Sequence, residues 1–312
     1  MSIPRRKDGG IDWGFNPVTA EETALCMKDA LWRICSGKLY KIIIKGDDGQ
    51  DGLVIPFKPN RAQKRLLARL WHRNVILKAR QLGFTTLICV LWLDTALFNE
   101  NMRCGIIAQD REAAEVIFRD KVKFAYENLP ENLKSAMPLA RDSASELLFA
   151  HNNSSIRVAT SMRSGTIHRL HISEFGKICA KYPDKAVEVV TGSIPAVPKN
   201  GILIIESTAE GREGEFYDIT MRAKAAKESK KVLTVRDYRF HFFAWWDANE
   251  YEMPVDSVKL TDKDNAYFAR IEAQIGQPIS LEKRAWYIAT RDADFSGSEE
   301  KMWQEYPSTP EE

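Results

Sequence analysis

No apolar run in this chain reaches the roughly 18 residues that cross a bilayer, and the opening MSIPRRKDGG puts its charges ahead of no apolar signal core. These two absences predict a soluble, cytoplasmic protein with no membrane partner. Cysteine is scarce and unpatterned: Cys26, Cys35, Cys89, Cys104 and Cys179 are odd in number and never spaced C-x-x-C. That argues against a zinc site and a disulfide framework, and predicts reduced, mostly buried thiols. Excess charge is missing too. With 45 basic and 43 acidic residues the formal charge is only +2, so any nucleic-acid contact has to come from a local patch. Internal repeats and low-complexity tracts are also missing. What remains is 312 residues at 44% hydrophobic content, able to bury about three-quarters of the unfolded surface, enough for one large α/β domain with appendages.

The organising stretch is Asn74 to Thr86, NVILKARQLGFTT. Val75-Ile76-Leu77 reads as a strand, Lys78 to Thr85 as a tight loop, and Leu87 to Phe98 as a helix apolar on nearly every face. A loop between a strand and a buried helix converges backbone N–H groups and a helix N-terminus on one anion. Against the usual G-x-x-x-x-G-K-[ST] pattern, Gly83 and Thr85 fall in register, whereas Lys78 takes the first glycine's place and Phe84 the lysine's. A lysine placed early can curl back toward β- and γ-phosphates, Arg80 adds a second cation, and the Thr85 hydroxyl suits Mg²⁺. The plainer alternative is an ordinary strand-to-helix turn capped by a threonine.

Around this stretch the chain reads as alternating strands and helices. A helix is predicted from Ala20 to Cys35, capped by Thr19 and closed by Ser36-Gly37, then a strand Tyr40 to Ile44 and a turn Gly46-Asp47-Asp48-Gly49. A helix from Arg61 to Trp71 carries Arg61, Arg65 and Arg69 on one face, which reads first as a solvated face. Just ahead of the loop, Gln63 is placed to read an adenine edge with its amide. Further predictions are a strand Arg103–Ala108, a helix Asp110–Asn128, and strands Glu146–Ala150, Ser155–Thr160, Ile167–Ser173, Gly201–Ser207 and Val232–Trp246. Such alternation predicts a largely parallel sheet covered on both faces.

Two further strand ends carry chemistry. Leu170-His171-Ile172-Ser173-Glu174 ends in a hydroxyl and a carboxylate; phosphoryl-transfer ATPases normally end this strand Asp-Glu, one residue for the Mg²⁺ shell and one for the attacking water. Ser173 brings no charge, so metal binding would rest more on Thr85, Glu174 and the nucleotide. Ile202 to Ala209 ends in Ser207 and Thr208, hydroxyls at a carboxyl-terminal strand end where parallel sheets bind ligands, suited to sensing a γ-phosphate. Either end can also be plain turn chemistry.

KARQLGFTT, HISE and IIESTAEGREGEFYD together resemble the ATPase part of the large terminase subunit of tailed bacteriophages and prophages, over roughly Phe57 to Trp246. The tail EYPSTPEE resembles the segment ahead of that family's nuclease domain. The resemblance implies a P-loop NTPase of the additional-strand ATPase class, divided as an N-terminal or lid segment (1–50), the ATPase core (51–246) and a linker or lid segment (247–312). It implies ATP and Mg²⁺ as cofactors and a phosphate loop spanning Lys78, Ala79, Arg80, Gln81, Leu82, Gly83, Phe84, Thr85 and Thr86. Gln63 would read adenine, Glu174 would be the catalytic carboxylate, and Ser207-Thr208-Ala209 the motif coupling hydrolysis to movement. Phe84 and Ser173 depart from the family pattern and weaken the phosphate and Mg²⁺ assignments. Arg80 is a candidate arginine finger in cis; Arg163, in the Ser161–Thr166 loop, is a candidate either for that role in trans or for a DNA phosphate contact, and both arginines can also be plain surface charge.

The implied partners are double-stranded DNA, a homo-oligomeric ring on a portal and a small terminase subunit, all in the host cytoplasm. The basic run Arg222 to Lys231 is a candidate DNA follower, against a solvated helix face. Asp262, Asp264, Asp292 and Asp294 read as a solvated connector rather than nuclease ligands, so DNA cleavage is not expected. The alternatives are a helicase-like or recombinase-like ATPase, and a catalytically silent scaffold that binds nucleotide or DNA.

Overall fold

A computed structural model describes residues 3–44, 52–163 and 165–312; the expected turn Gly46–Gly49 and Ser164 lie outside the described residues. In chain order the elements are α1 (Ala20–Lys28), α2 (Ala30–Cys35), β1 (Lys41–Ile44), β2 (Leu53–Pro56), α3 (Arg61–Leu67), β3 (Arg73–Lys78), α4 (Phe84–Phe98), β4 (Arg103–Ile107) and α5 (Arg111–Ile117). There follow α6 (Phe124–Glu127), α7 (Glu131–Ala136), β5 (Leu139–Asp142), β6 (Glu146–Phe149), β7 (Ser155–Ala159), β8 (Arg169–Ser173), α8 (Phe175–Lys181), α9 (Pro183–Glu188), β9 (Ile202–Ser207), α10 (Gly214–Glu228) and β10 (Tyr238–Phe243). Three helices, α11 (Asp262–Ile275), α12 (Leu281–Asp294) and α13 (Glu299–Glu305), complete the chain. No helix among the described residues is long and apolar enough to cross a membrane.

The fold is α/β. Eight strands form a sheet in the order β10-β3-β9-β8-β4-β7-β6-β5, with β1 and β2 paired separately as an antiparallel hairpin. β3 runs parallel to β10, and β4 parallel to both β7 and β8, while β5 and β6 add an antiparallel edge. β9 stands between the loop strand β3 and the acidic strand β8. Among the described residues no disulfide joins the five cysteines, and Cys26, Cys35, Cys89 and Cys104 are buried.

Two compact units divide the chain. The first comprises Met1–Gln63, Gly83–Ser173 and Glu188–Leu203. Its centre is α4, apolar all round as the sequence predicts, with Leu87, Ile88, Trp92 and Leu93 almost wholly buried. One charge sits on that helix: Asp94 accepts from Arg33 Nε at 2.8 Å and Nη2 at 2.6 Å, and from the Tyr40 hydroxyl at 2.8 Å. The single helix expected over Ala20 to Cys35 is broken at Asp29. That residue takes an extended conformation and caps α2 by accepting from the Trp32 N–H, the role for which aspartate is preferred over a helix interior. The helix expected over Asp110 to Asn128 is interrupted by a π-helical turn at Phe118–Lys123, whose Phe118 and Val122 are buried.

The second unit comprises Lys64–Leu82, Glu174–Val187 and Ile204–Glu312. Within the span Val232–Trp246 only Tyr238–Phe243 is strand. Ahead of it Asp237 accepts from both the backbone N–H and the hydroxyl of Thr234, a local turn that competes with strand pairing. Behind it Trp245–Asp247 turns as a short 3₁₀ helix. Asp262, Asp292 and Asp294 are exposed as expected, but the stretch that carries them is packed rather than loose, with Trp245 against Trp286 and Tyr287, and Tyr251 against Trp286 and Tyr306. Asp264 is 3% exposed, completes a capping box with Thr261 and pairs with Arg291 at 2.7 Å.

Candidate active site

β3 delivers Lys78 at its carboxyl end, where the side chain is only 6% exposed. Its ammonium lies 3.0 Å from Glu174 Oε1 and 3.1 Å from Glu206 Oε2. Burial alone would pull this ammonium down, but Glu206 and Glu174 more than offset it and hold the group raised above the ordinary lysine value. Two of its three donors are therefore engaged by carboxylates at the ends of chain-distant segments. Glu206 escaped the sequence reading. The available signal was a lone charge inside the otherwise apolar ILIIES strand, which has to find a partner once buried.

Glu174 caps α8 from the left-handed region, φ 52 and ψ 48. A residue with a Cβ is held there at a cost of about 1 kcal/mol. Its Oε1 meets Lys78, and its Oε2 is buried without a hydrogen-bond partner among the described residues, 3.6 Å from Lys177 Nζ. Close by along the same unit, Ser207 and Thr208 are fully buried, and neither hydroxyl has a hydrogen-bond partner among the described residues. A Cβ on Gly176 would come within 2.8 Å of Ser207 Oγ and 3.1 Å of the Thr208 carbonyl, so only glycine lets α8 pack this closely on the end of β9.

The loop is not free along its whole length. The Ala79 N–H donates to the Phe243 carbonyl at 2.8 Å, and that of Arg80 to the Glu305 carbonyl at 2.9 Å. The Arg80 guanidinium, half exposed, lies 3.4 Å from Glu305 Oε2, and the Tyr251 hydroxyl donates to the Arg80 carbonyl. Tyr251 and Glu305, absent from the sequence reading, thus clamp the loop's first residues. Gln81 is exposed and adopts φ 59, and Leu82 is buried.

In the first unit, Gly83 opens α4 at φ 72, a conformation that favours glycine. Gln63 Nε2 donates to the Gly83 carbonyl at 2.7 Å, while its Oε1 accepts from the Asn60 N–H at 2.9 Å. A Cβ at residue 83 would meet Gln63 Nε2 at 2.8 Å, so glycine is required there twice over. Gln63, 4% exposed, is engaged at both ends of its amide, bracing the loop's last turn. Phe84, in the usual lysine place, is 1% exposed and serves as a core side chain. Thr85 is half-buried in the first turn of α4; the cap position is Gly83, not a threonine. Thr86 Oγ1 accepts from Lys121 Nζ at 3.0 Å. Ser173, at the end of β8, is 3% exposed. Arg163, 65% exposed, is held by Glu188 at 2.6 Å and approaches none of these groups in its own unit. Among the described residues no cluster of three or more His, Cys, Asp or Glu side chains has a metal-binding arrangement.

No family model matches the chain. No curated protein matches it either. Solved structures do. The large terminase ATPase domain of Thermus phage P74-26 is similar at a TM-score of 0.54 and 18% identity, covering 81% of this chain and 94% of that one. The large terminase of bacteriophage HK97 is similar at a TM-score of 0.58 and 17% identity, covering 90% of this chain and 54% of that one, so this chain spans about half its length. At these identities what is shared is architecture: the chain has the fold of the phage large-terminase ATPase domain.

Proposed function

We propose that this chain is the ATPase motor domain of a viral DNA-packaging terminase, coupling ATP hydrolysis to translocation of double-stranded DNA into a procapsid. The observation that carries the proposal is the buried Lys78 ammonium at the end of β3, shared by Glu174 and Glu206, at the root of a loop whose left-handed Gly83 opens α4. A lysine held this way keeps its charge and one donor for a phosphate oxygen. The amides toward α4, rather than those of Ala79 and Arg80, are the ones a phosphate would use. Glu174 positions the attacking water through Oε2, which has no hydrogen-bond partner among the described residues. Ser207 and Thr208, one and two residues beyond Glu206 and with hydroxyls that have no partner among the described residues, report the γ-phosphate state.

The donor set suits a hard cation: hydroxyls from Thr85 and Ser173 and one carboxylate from Glu174, with the charge that Ser173 lacks coming from the nucleotide. Mg²⁺, when bound, neutralises charge on the phosphate oxygens. Arg80, tethered to Glu305, is the cis arginine, and the exposed Arg163 is the one to complete a neighbouring subunit's site in a ring. Gln63, braced on the Gly83 carbonyl, is the residue that reads the adenine edge. Partners on this reading are duplex DNA, a portal-mounted homo-oligomeric ring and a small terminase subunit, in the host cytoplasm; this chain itself cleaves no DNA. The rival reading is a catalytically silent scaffold. Comparing ATP turnover of the unaltered chain with Glu174→Gln, under conditions that assemble the ring, decides between them: equal background rates sink the motor.

A further inference from the structure

Within the second unit, six cations gather on three elements: Arg65 and Arg69 on and just beyond α3, Arg239 on β10, and Lys227, Lys230 and Lys231 at the end of α10. They line two cavities of about 400 and 200 Å³ that share Arg69, Lys227 and Phe240, and so read as one continuous trough. Among the described residues only two of the six have carboxylate partners, Arg65 with Asp247 at 2.5 Å and Lys231 with Asp237 at 2.8 Å. Among the described residues no carboxylate lies within ion-pair distance of Arg69, Lys227, Lys230 or Arg239.

Two of these unpaired cations are held in place by groups that do not cancel their charge. The Arg239 guanidinium lies 4.7 Å over the Trp71 ring and donates to the Arg69 carbonyl, and Lys227 Nζ lies 5.5 Å over Phe240. The crowding has an electrostatic signature. Burial, then Arg69 and Arg65, lower the Lys227 ammonium, and burial with Arg69, Arg239, Lys227 and Arg65 pushes His241 down to about 3. A chain with a net charge of +2 concentrates uncompensated positive charge along one elongated trough, and the matching ligand is a linear polyanion rather than a single small ion.

We infer that this trough binds the phosphodiester backbone of duplex DNA. The inference deepens the DNA-partner side of the proposed function and rests on that reading, but it does not depend on hydrolysis. Binding is therefore measured without nucleotide: fluorescence anisotropy of the full chain with a labelled 30-base-pair duplex across a salt series, for the unaltered chain and for Arg69→Ala/Lys227→Ala/Lys230→Ala. Each phosphate contact contributes about 0.9 to the slope of log affinity against log salt, so the triple variant should lose about two units or more of slope and roughly 100-fold in affinity near 0.1 M salt. Arg111→Ala/Arg119→Ala/Lys134→Ala, which removes three cations from the first unit, should stay within about twofold on the same counterion argument. Should the triple variant misfold by circular dichroism, the exposed Lys230→Glu alone should still weaken binding several-fold. Unchanged slope and affinity in the trough variants, or an equal loss in the control, overturns the inference. ATP turnover measured in parallel keeps the two readings apart: trough-dependent binding without turnover sinks the motor and spares the trough, whereas turnover with trough-independent binding does the reverse.

Discussion

Two buried cation–carboxylate clusters in this chain are built on opposite plans. In the first unit, Arg33 meets Asp94 through two parallel hydrogen bonds, a third comes from Tyr40, and a further Arg33 N–H donates to the Met27 carbonyl. Both oxygens of Asp94 are satisfied, as a buried charge must be to repay its desolvation. In the second unit, one ammonium serves two carboxylates, one carboxylate rides on a left-handed backbone, and its outer oxygen has no hydrogen bond among the described residues. The first arrangement is finished within the protein. The second holds strain and spare bonding capacity, the condition expected of a group that still has a ligand to meet.

The sharpest way to break this comparison is Glu174→Gln. Turnover of ATP should fall by about 10² to 10⁴ while the urea midpoint moves little; a large stability loss with no kinetic one would make the second cluster as structural as the first. Next is Arg33→Met, which strands the Asp94 carboxylate inside α4's surroundings. Stability should drop by about 3 to 5 kcal/mol in chemical denaturation, with turnover per folded molecule unchanged. Gly83→Ala should cost about 1 to 3 kcal/mol, because a Cβ is both strained at φ 72 and 2.8 Å from Gln63 Nε2. Adding Gln63→Ala should recover part of that loss by removing the clash but not the strain.

The smallest effect concerns a third buried group. His241 is 4% exposed and its folded value is pushed down to about 3, by burial first and then by the neighbouring cations. The unfolded chain takes up this proton near pH 6.5 and the folded chain does not, so stability should decline as pH falls from about 6.5 toward 3, by at most about 1.4 kcal/mol per pH unit. His241→Asn should flatten that decline; an unchanged slope would mean the ring is protonated in place.

The features legible in the sequence are those with a local cause. The apolar runs of β3 and β9, the all-round apolar α4, the glycine at the loop's end and the carboxylate after β8 each follow from period, conformation or position within a few residues. The expectations that changed also have local but competing causes. Asp29 prefers to cap α2 rather than continue α1, and the Thr234–Asp237 turn delays β10. Composition could not foresee that Asp264 would be spent on a capping box and an ion pair with Arg291, because that bond depends on how α11 and α12 pack.

By itself the sequence determined the alternation of strands and helices, the early lysine and the glycine in register at the loop's end, since backbone sterics and side-chain periodicity act between near neighbours. Only the tertiary structure decided that Lys78 would be shared by Glu174 and Glu206 and that Arg80 would be tied to Glu305, residues far away along the chain. Charge pairing is settled by which strand and helix ends converge, and that convergence follows from burying the apolar faces of the whole chain at once.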